Sequence, residues 1–280
     1  MPAKLIDGKK LAEQIKAQLK AEVSKLKQKP GLAIVLVGNN PASELYVGNK
    51  RKACTEVGIT SELHQVPETV TEEQMLALVE KINSDKKIHG CIIQMPLPKH
   101  LNEQKIVHAL CPLKDVDGLT AYNQGLAMLG NPAAHIPATP KGVIKLIEST
   151  KIKFEGKHAV VIGRSNLVGK PVAQLLLQKN CTVTICHSKT KDLGKITKTA
   201  DILVVATGKP KMIKKNMVKK GAVVVDVGIN RLKDGKVVGD VDFQNVKKVA
   251  GWITPVPGGV GPMTVACLLE NVLRAVKSIP

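Results

Sequence analysis

Tyr46 and Lys50 lie four residues apart in a segment with helical spacing, so both side chains would project from one face of a helix. A lysine held against apolar walls loses part of its preference for the charged form, and its neutral amine can activate water as a general base. A lysine whose stem covers a half-buried tyrosine gives the same pattern, and the pair alone indicates such packing more often than a catalytic dyad.

Two later segments could bring polar groups to the same place. Gln94 follows the short apolar strand Gly90–Ile93, and Asp117 lies in the segment Lys114-Asp115-Val116-Asp117-Gly118. If the strands are parallel, these segments and the turn at 38–41 open at the carboxyl edge of the sheet, where open α/β sheets bind ligands. The segment 114–118 could thus bring a carboxylate to that edge.

A second candidate site is a glycine turn, in which Val160-Val161-Ile162 leads into Gly163-Arg164-Ser165-Asn166-Leu167-Val168-Gly169. A strand, a tight turn of small residues and a helix expose backbone N–H groups to a phosphate. The match to G-x-G-x-x-G is imperfect, because Ser165 replaces the second glycine and the last glycine comes one place late. A turn whose glycines serve packing alone would show the same pattern, but the surrounding βαβ arrangement favours nucleotide binding.

The end of the next predicted strand bears on the identity of the dinucleotide. NAD sites usually place an acid about 20 residues after the glycine turn, where it binds the ribose 2′-hydroxyl. This chain has Cys186-His187-Ser188-Lys189 there, without an acid. A hydroxyl and cations, with Arg164 in the turn, suit a 2′-phosphate and favour NADP. A solvated Lys189 and a helix-capping Ser188 are the alternative.

Length and composition exclude several classes of protein. The 280 residues exceed the roughly 100–200 of one domain, so two α/β units are expected. Apolar runs are far shorter than the ~20 residues that cross a bilayer, and the N-terminal segment lacks the apolar core of a signal peptide, which predicts a cytoplasmic protein that does not enter a membrane. The six cysteines show no zinc-ligand spacing, so neither a metal nor a disulfide is expected.

The net charge of +19 could indicate nucleic acid or an anionic small molecule. Basic residues are spread along helices and turns, as in 191–220, and the five aromatic residues offer few platforms for base stacking. We therefore expect no nucleic-acid partner. The charge is interpreted first as solvated lysine faces and second as a field that steers polyanionic ligands.

Periodicity predicts the elements that must position these residues. Helices are expected from Leu11 to Leu26, from a Ser43 cap to Val57 with Gly58 as the stop, from a Thr71 capping box through Ser84, from Thr139 onward, after the glycine turn to Leu177, and from Thr264 to Lys277. Strands are expected at Leu32–Val37, Gly90–Ile93, His158–Ile162, Thr182–Cys186, Ile202–Ala206 and Val223–Val227. The stretch Leu110–Ala138 loses periodicity and is predicted to be irregular.

Strands that alternate with helices predict an α/β fold. We expect two α/β domains flanking a cleft, the second a Rossmann-like doubly wound parallel sheet. The first domain would comprise residues 1–138, with the C-terminal helix 264–280 packing back on it. The second, residues 139–263, would bind the nucleotide.

Several longer motifs, in the same order along nearly the whole chain, resemble the bifunctional methylenetetrahydrofolate dehydrogenase/cyclohydrolase family. They are Val37-Gly38 through Tyr46-Val47-Gly48-Asn49-Lys50, Gln94-Met95-Pro96-Leu97-Pro98, Lys114 to Gly118, Gly163 to Pro171, His187-Ser188, Asp226-Val227-Gly228-Ile229-Asn230, Gly239-Asp240-Val241 and Thr254 to Thr264. Two departures are visible, since Met95 stands where the family usually shows Leu and Ala138 occupies a Cys position. Neither touches a residue expected to do chemistry.

The resemblance implies oxidation of 5,10-methylenetetrahydrofolate by NADP⁺ to the methenyl form, followed by hydrolysis to 10-formyltetrahydrofolate. It implies a catalytic group of Lys50, Tyr46, Gln94 and Asp117, in which Lys50 handles the proton of hydrolysis and Gln94 holds Lys50 by a hydrogen bond. The Tyr46 ring would pack against the folate while its hydroxyl joins the lysine network, and Asp117 would accept the paired N–H donors of the pterin. The implied cofactor residues are Gly163, Arg164, Ser165, Ser188, Thr207, Ile229 and Thr264, and the implied folate-binding residues also include Pro257, Gly258, Gly259, Val260 and Gly261. It further implies a homodimer, and tetrahydrofolate derivatives with glutamate tails as partners.

Other functions stay open at this point. Another Rossmann-type NADP dehydrogenase with a small anionic substrate would share the second domain, but it has no use for Tyr46 and Lys50 with Gln94. A basic nucleic-acid-binding protein is supported by the net charge alone. Retention of only one of the two folate activities is a third alternative.

Overall fold

The computed structural model describes residues 2–278; Met1, Ile279 and Pro280, which the predicted domains include, lie outside the described residues. The chain forms two compact units, which we name after their sheets. The six-stranded unit comprises residues 2–12 and 139–264, and the three-stranded unit comprises residues 13–138 and 265–278.

Strands and helices alternate along most of the described chain. The strands are β1 (Lys4–Leu5), β2 (Gly31–Val37), β3 (Thr60–Val66), β4 (Gly90–Ile93), β5 (His158–Ile162), β6 (Thr182–Cys186), β7 (Ile202–Val205), β8 (Val223–Asp226), β9 (Asn230–Arg231), β10 (Val237–Val238) and β11 (Trp252–Ile253). The helices are α1 (Gly8–Val23), α2 (Pro41–Val57), α3 (Glu72–Ser84), α4 (Glu103–His108), α5 (Ala121–Met128), α6 (Ala138–Ser149), α7 (Gly169–Gln178), α8 (Leu193–Thr197), α9 (Phe243–Val246) and α10 (Val260–Ser278). This pattern confirms the predicted α/β class.

The three-stranded unit is built on β2, which pairs in parallel with β3 on one side and β4 on the other. All seven residues of β2 are buried, as expected for a central parallel strand with both faces covered. Its side chains join a core that includes Val35, Met75 and Ile93. Strand β3 was not predicted, because its polar and partly exposed residues lack the apolar pattern of its neighbours.

The six-stranded unit has a wholly parallel main sheet in the order β1-β11-β8-β7-β5-β6. Strand β5 pairs with β6 on one side and β7 on the other, so the chain reverses its direction of winding between β5 and β7. Ligands of doubly wound sheets bind outside the carboxyl ends of the strands at such a switch point. The Rossmann-like sheet predicted for this region is confirmed, and its switch point lies at the end of β5.

The first residues group differently from the predicted domain 1–138. Lys4 and Leu5 pair with Trp252 and Ile253, which adds β1 to the edge of the six-stranded sheet. A strand of two exposed residues carries no apolar alternation, so this pairing left no local pattern from which to predict it.

The region predicted to be irregular, Leu110–Ala138, contains α5. Thr120 caps this helix by accepting a hydrogen bond from the Asn123 N–H, and Gly125 within it weakens the helical pattern. Helix α4 was also missed, because its six residues are too few to show periodicity.

Several predicted element ends shift by a few residues. Helix α1 ends before Leu26, strands β7 and β8 each end one residue early, and α10 begins at Val260 instead of Thr264. Helix α6 begins at Ala138, so Thr139 is not its cap, and the Thr139 hydroxyl instead shares a 2.9 Å hydrogen bond with the Thr264 hydroxyl. Within residues 2–278, no helix has the length and apolar character that a membrane span requires.

Candidate active site

Helix α2 starts at the carboxyl end of β2 and carries Tyr46 and Lys50. The chain turns at Gly38, whose φ of 74° favours glycine. The Asn40 side chain then caps α2 by accepting hydrogen bonds from the N–H groups of Ala42 and Ser43. Ser43, predicted as the cap, is instead a buried residue of the first helical turn.

Lys50 and Gln94, 44 residues apart in sequence, meet in the three-stranded unit. The Lys50 Nζ donates a 3.0 Å hydrogen bond to Gln94 Oε1. Gln94 is fixed in turn, because its Nε2 donates to the Met95 carbonyl at 2.7 Å and its backbone N–H donates to the Val35 carbonyl at 2.9 Å. The amide group therefore points its oxygen at the lysine and stabilises one position of the amine.

Two adjacent buried side chains, Lys114 and Asp115, anchor the segment that carries Asp117. The Lys114 Nζ donates to three backbone carbonyls at the end of α3, those of Ile82, Asn83 and Asp85, at 2.7 to 2.8 Å. The Asp115 carboxylate accepts hydrogen bonds from the backbone N–H groups of Leu119 and Thr120 and from the side chains of Thr120 and Asn123. Sequence reasoning did not assign this role to Lys114 and Asp115, whose only signal was their position beside Asp117.

Burial and their mutual proximity shift the pKa values of Lys50 and Asp117. Burial lowers the pKa of the Lys50 amine, while the neighbouring Asp117 carboxylate and Cys54 act in the opposite direction. Burial likewise raises the pKa of Asp117, with Lys50 opposing this shift and Asp115 adding to it. Both groups are therefore moved toward their neutral forms, which suits a site where a proton is exchanged.

Tyr46 and Cys54 lie one helical turn before and after Lys50. Tyr46 is 40% exposed, so its ring is accessible to a ligand. Its hydroxyl has no hydrogen-bond partner within residues 2–278, so the expected bond to the lysine network is not formed; the Lys50 amine instead donates to Gln94. Cys54 is fully buried, and burial raises the pKa of its thiol to about 12. The sequence analysis did not place Cys54 near the site, although its spacing of four from Lys50 indicates the same helix face. Cys54 therefore places an uncharged thiol next to the Lys50 amine.

The glycine turn lies at the switch point of the six-stranded sheet. Gly163 has a φ of 127°, and a β-carbon there would collide with the Ala206 carbonyl. A β-carbon at Gly169 would collide with the Gly163 carbonyl. Both glycines thus allow close approach of the backbone at the start of α7.

Ser165, the departure from the glycine motif, has a structural role in the turn. Its Oγ accepts hydrogen bonds from the Val168 and Gly169 N–H groups at 3.1 and 3.4 Å. Arg164 beside it is exposed. The turn therefore combines the helix N-terminus with an exposed cation, which fits the phosphate groups of a dinucleotide.

Ser188 lies in the turn that follows β6. The turn is closed by two hydrogen bonds, from the His187 N–H to Thr190 Oγ1 at 2.8 Å and from the Lys189 N–H to His187 Nδ1 at 3.1 Å. Ser188 and Lys189 are both exposed. A hydroxyl and an ammonium thus stand where an NAD site would have an acid.

The remaining predicted cofactor residues lie in loops of the same unit. Thr207 follows β7, Ile229 follows β8 and is 49% exposed, and Thr264 lies in the first turns of α10. The Ile229 side chain lies 3.9 Å from where a Gly261 β-carbon would be, so the loops of β8 and α10 approach each other.

Gly258 and Gly259 are glycines for different physical reasons, one conformational and one steric. Gly258 has a φ of 106°. A β-carbon on buried Gly259 would come within 2.6 Å of the Pro255 carbonyl and 2.8 Å of the Thr254 β-carbon. Gly259 is therefore required by packing within the six-stranded unit. Pro257 before them is exposed and Val260 after them is buried.

These features define a class of protein. A glycine turn at the switch point of a doubly wound parallel sheet is typical of a dinucleotide-binding unit. The other unit holds a lysine, an amide and a carboxyl group arranged for proton exchange. The chain therefore has the features of a dinucleotide-dependent enzyme with a separate candidate acid–base group.

Comparison with known proteins identifies the family. Residues 6–117 match the catalytic domain of tetrahydrofolate dehydrogenase/cyclohydrolase, and residues 137–279 match its NAD(P)-binding domain. The bifunctional protein FolD of Listeria innocua serovar 6a is 56% identical over 278 residues, which cover 98% of each chain. The chain belongs to the tetrahydrofolate dehydrogenase/cyclohydrolase family, as its motifs predicted.

Two solved structures agree with this assignment. The FolD methylenetetrahydrofolate dehydrogenase/cyclohydrolase from Campylobacter jejuni has a TM-score of 0.97 and 48% identity, with 99% of each chain covered. The Trypanosoma brucei enzyme, complexed with NADP cofactor and an inhibitor, has a TM-score of 0.96 and 36% identity and covers 99% of this chain and 98% of its own. The chain is a bifunctional enzyme, an oxidoreductase and a hydrolase, and the alternative classes are set aside.

Proposed function

We propose that the two reactions of this enzyme depend on the residues described above, with the acid–base chemistry in the three-stranded unit and the cofactor in the six-stranded unit. The first reaction is the NADP⁺-dependent oxidation of 5,10-methylenetetrahydrofolate to the methenyl form. The second is its hydrolysis to 10-formyltetrahydrofolate. NADP⁺, when bound, accepts the hydride of the first reaction. The protein's part in that step is to bind and align.

Lys50 is the proton handler of the hydrolysis. A neutral amine takes a proton from the water molecule that adds to the methenyl carbon, and the resulting ammonium returns a proton to the folate nitrogen when its bond to that carbon breaks. The hydroxyl left on the carbon releases its own proton to solvent as the formyl C=O forms, so the hydrolysis releases one proton overall. The cationic substrate also disfavours a charged lysine nearby. The 3.0 Å hydrogen bond to Gln94 keeps the amine in one position throughout.

Asp117 and Tyr46 hold the folate. The Asp117 carboxyl binds the paired N–H donors of the pterin amino-pyrimidine edge, a geometry that a carboxylate matches without leaving a donor unpaired. The exposed ring of Tyr46 packs against the aromatic parts of the substrate. In the six-stranded unit, residues 257–261 contribute further backbone contacts to the folate.

Arg164, Ser165 and Ser188 hold the phosphates of NADP. The N-terminus of α7 and the exposed Arg164 face the site of the pyrophosphate, and the Ser188 hydroxyl with nearby cations binds the 2′-phosphate. Thr207, Ile229 and Thr264 line the nicotinamide side. The absence of an acid after β6 supports NADP over NAD.

The observation that carries the proposal is the partly buried Lys50 amine, hydrogen-bonded to Gln94 and electrostatically coupled to Asp117. Lys50→Met removes the amine and keeps most of the side-chain volume. We expect hydrolysis of methenyltetrahydrofolate to fall to the uncatalysed rate while the variant still binds NADP⁺.

The matched control is Lys52→Met, which removes an exposed lysine from the same helix and should leave both activities unchanged. Absorbance of the methenyl form reports its formation and decay in one assay, and calorimetry measures NADP⁺ binding. Hydrolysis at the wild-type rate in Lys50→Met would exclude Lys50 as the proton handler.

The proposal includes a homodimer formed through the six-stranded unit. Strand β6 is at the edge of the sheet, and two apolar side chains near it are exposed, Ile185 by 42% and Leu177 by 54%. An exposed edge strand with apolar neighbours is suited to pairing with a second copy. We expect Ile185→Lys to halve the mass measured by light scattering, whereas Leu129→Lys in the other unit should not change it; a wild-type monomer would contradict the dimer.

The proposal also includes a cytoplasmic location and substrates that carry glutamate tails. Within residues 2–278 none of the six cysteines forms a disulfide, and five of them are buried, which suits a reducing compartment. The net charge of +19 suits polyanionic tails.

A further inference from the structure

Two buried carboxylates lie side by side in the six-stranded unit. Asp226 ends β8 and is 3% exposed, and Asp240 follows β10 and is fully buried. Neither forms an ion pair with a lysine or arginine within residues 2–278. A buried carboxylate without a cation is costly unless several N–H groups donate to it, so its presence calls for a structural or functional reason.

The Asp240 carboxylate connects two loops at the carboxyl edge of the sheet. Its Oδ2 accepts hydrogen bonds from the backbone N–H groups of Thr207 at 2.6 Å and Gly208 at 2.9 Å, in the loop after β7. Its Oδ1 accepts a 2.8 Å hydrogen bond from Asn230 Nδ2, in the segment after β8. One side chain thus fixes the two loops relative to each other.

The Asp226 carboxylate holds the backbone of Asp240 in place. Its Oδ1 accepts hydrogen bonds from the N–H groups of Gly228 at 3.0 Å and Asp240 at 2.9 Å, and its Oδ2 accepts from Val241 at 2.9 Å. Burial raises the pKa of Asp226 to about 6, and the nearby Asp240 adds to this shift. The arrangement is therefore kept despite an electrostatic cost.

Two glycines make room for these carboxylates. A β-carbon at Gly228 would collide with the Asp240 carboxyl group, and one at Gly239 would collide with the Asp226 carboxylate. The two glycines and the two acids form one packed unit. No local pattern in the sequence distinguishes these buried acids from acids on the surface.

The loops that Asp240 joins carry Thr207 and Ile229, which the proposed function assigns to the cofactor. Because Asp240 binds the backbone of one loop and a side chain of the other, it touches neither the cofactor nor the folate in this assignment. We propose, on the basis of that proposed function, that Asp240, held by Asp226, is the positioning residue that aligns these two loops for NADP.

The Asp240→Asn variant tests this role. Three N–H groups donate to the two Asp240 oxygens, whereas asparagine offers one oxygen and an NH₂ group, so at least one donor would face another donor. Loss of a hydrogen bond to a charged group typically weakens an interaction by about tenfold to a hundredfold. We expect the dissociation constant of NADP⁺ to rise by at least about tenfold on that scale.

The hydrolysis reaction provides the internal control, because the proposal assigns its acid–base groups to the three-stranded unit. In Asp240→Asn, kcat for methenyltetrahydrofolate hydrolysis should stay within about twofold of wild type, while calorimetry shows weakened NADP⁺ binding and the dehydrogenase shows a raised KM for NADP⁺. A wild-type enzyme that fails to oxidise or hydrolyse the folates would instead contradict the proposed function, independently of Asp240.

The double variant Asp240→Asn/Asn230→Asp separates positioning from folding. The new amide at position 240 would accept from Thr207 and Gly208 and donate to the new carboxylate at position 230, which reverses the polarity of one hydrogen bond and keeps the connection. Asn230→Asp alone places two carboxylates together and should bind NADP⁺ more weakly than the double variant. Recovery is expected to be partial, since Asn230 also donates to the Val238 carbonyl at 3.3 Å.

Two results would overturn the proposal. One is NADP⁺ affinity within about twofold of wild type in folded Asp240→Asn, which is too small a loss for a broken charged hydrogen bond. The other is a double variant that binds NADP⁺ no better than either single variant. If Asp240→Asn does not fold, the comparison of Asn230→Asp with the double variant still decides the question.

Discussion

The Lys50 amine shows how one residue acquires a chemical role from its surroundings. Burial lowers its pKa, and the accepting oxygen of Gln94 stabilises its position without adding charge. A carboxylate in place of that amide would stabilise the ammonium and remove the base. Under the proposed function, glutamine at position 94 therefore suits a lysine that must act as a base, whereas glutamate would not.

Gln94→Glu tests this argument through the pH dependence of hydrolysis. The wild-type rate should rise with pH as Lys50 loses its proton, with a midpoint below the ordinary lysine pKa of 10.5. An opposite charge at 3.0 Å raises the pKa of Lys50, so the rise should move by about one unit or more to higher pH. Rates between pH 6 and 10, corrected for spontaneous hydrolysis, measure this shift.

Two effects of Gln94→Glu must be separated. The new carboxylate also loses the hydrogen bond to the Met95 carbonyl, which lowers the rate at every pH, whereas a shifted midpoint reports the charge alone. The control Gln104→Glu adds the same charge at an exposed position of α4 and should leave the profile unchanged. An unshifted midpoint in Gln94→Glu would mean that the titrating group is not Lys50.

At the scale of elements, α2 carries both Tyr46 and Lys50 and depends on its two caps. Asn40 accepts two hydrogen bonds at the start, and Gly58, with a φ of 88°, ends the helix. The acidic Glu44 in the first turn also faces the positive end of the helix dipole. The helix that carries the lysine is thus stabilised at both ends by residues that do no chemistry.

Asn40→Ala should destabilise the protein by about 1 kcal/mol, because two N–H groups at the start of α2 lose their acceptor. Asn40→Asp keeps an acceptor and should be close to neutral. Urea unfolding gives the free energies of both variants. Lys50 lies nearly three turns further along the helix, so the rate of hydrolysis by Asn40→Ala at 25 °C should change less than twofold. Equal free energies of unfolding for Asn40→Ala and wild type would show that this cap contributes nothing to stability.

The elements that could be predicted are those whose signal is local. Strand β2 is a continuous apolar run, and the capping box of Thr71 and Gln74 fixes the start of α3 within the chain itself. Strand β3 and helix α5 escaped prediction because partly exposed polar residues and a short glycine-containing helix resemble loops. Their formation depends on neighbours that are distant in sequence.

The candidate site, like the secondary-structure elements, could be predicted only in part. Lys50 and Gln94 were placed together from the parallel-sheet argument and the family resemblance, and the structure brings them to hydrogen-bond distance. Lys114 and Asp240 could not be assigned their roles, since their partners lie about 30 residues away in the chain and only the folded structure reveals their burial. Polar residues that become buried carry no local signal.

At the scale of the whole molecule, the chain has 42 lysine and arginine residues but only 23 aspartate and glutamate residues. The described ion pairs are largely exposed, such as Lys195–Asp192 and Lys236–Asp234, and exposed pairs of this kind stabilise a fold by about 1 kcal/mol at most. The excess of positive charge therefore contributes little to the fold. We propose that it acts as a long-range field that attracts anions.

This field should favour folates with long glutamate tails, since each added glutamate contributes a carboxylate. We expect kcat/KM for hydrolysis to be higher for a pentaglutamyl than a monoglutamyl substrate at 20 mM KCl, and this preference to shrink by about tenfold at 300 mM, where exposed charges are screened beyond roughly 6 Å. The kcat values should not change, because screening acts on capture and leaves the buried Lys50 site unaltered. Equal kcat/KM for the two substrates at both salt concentrations would assign the excess charge to solubility alone.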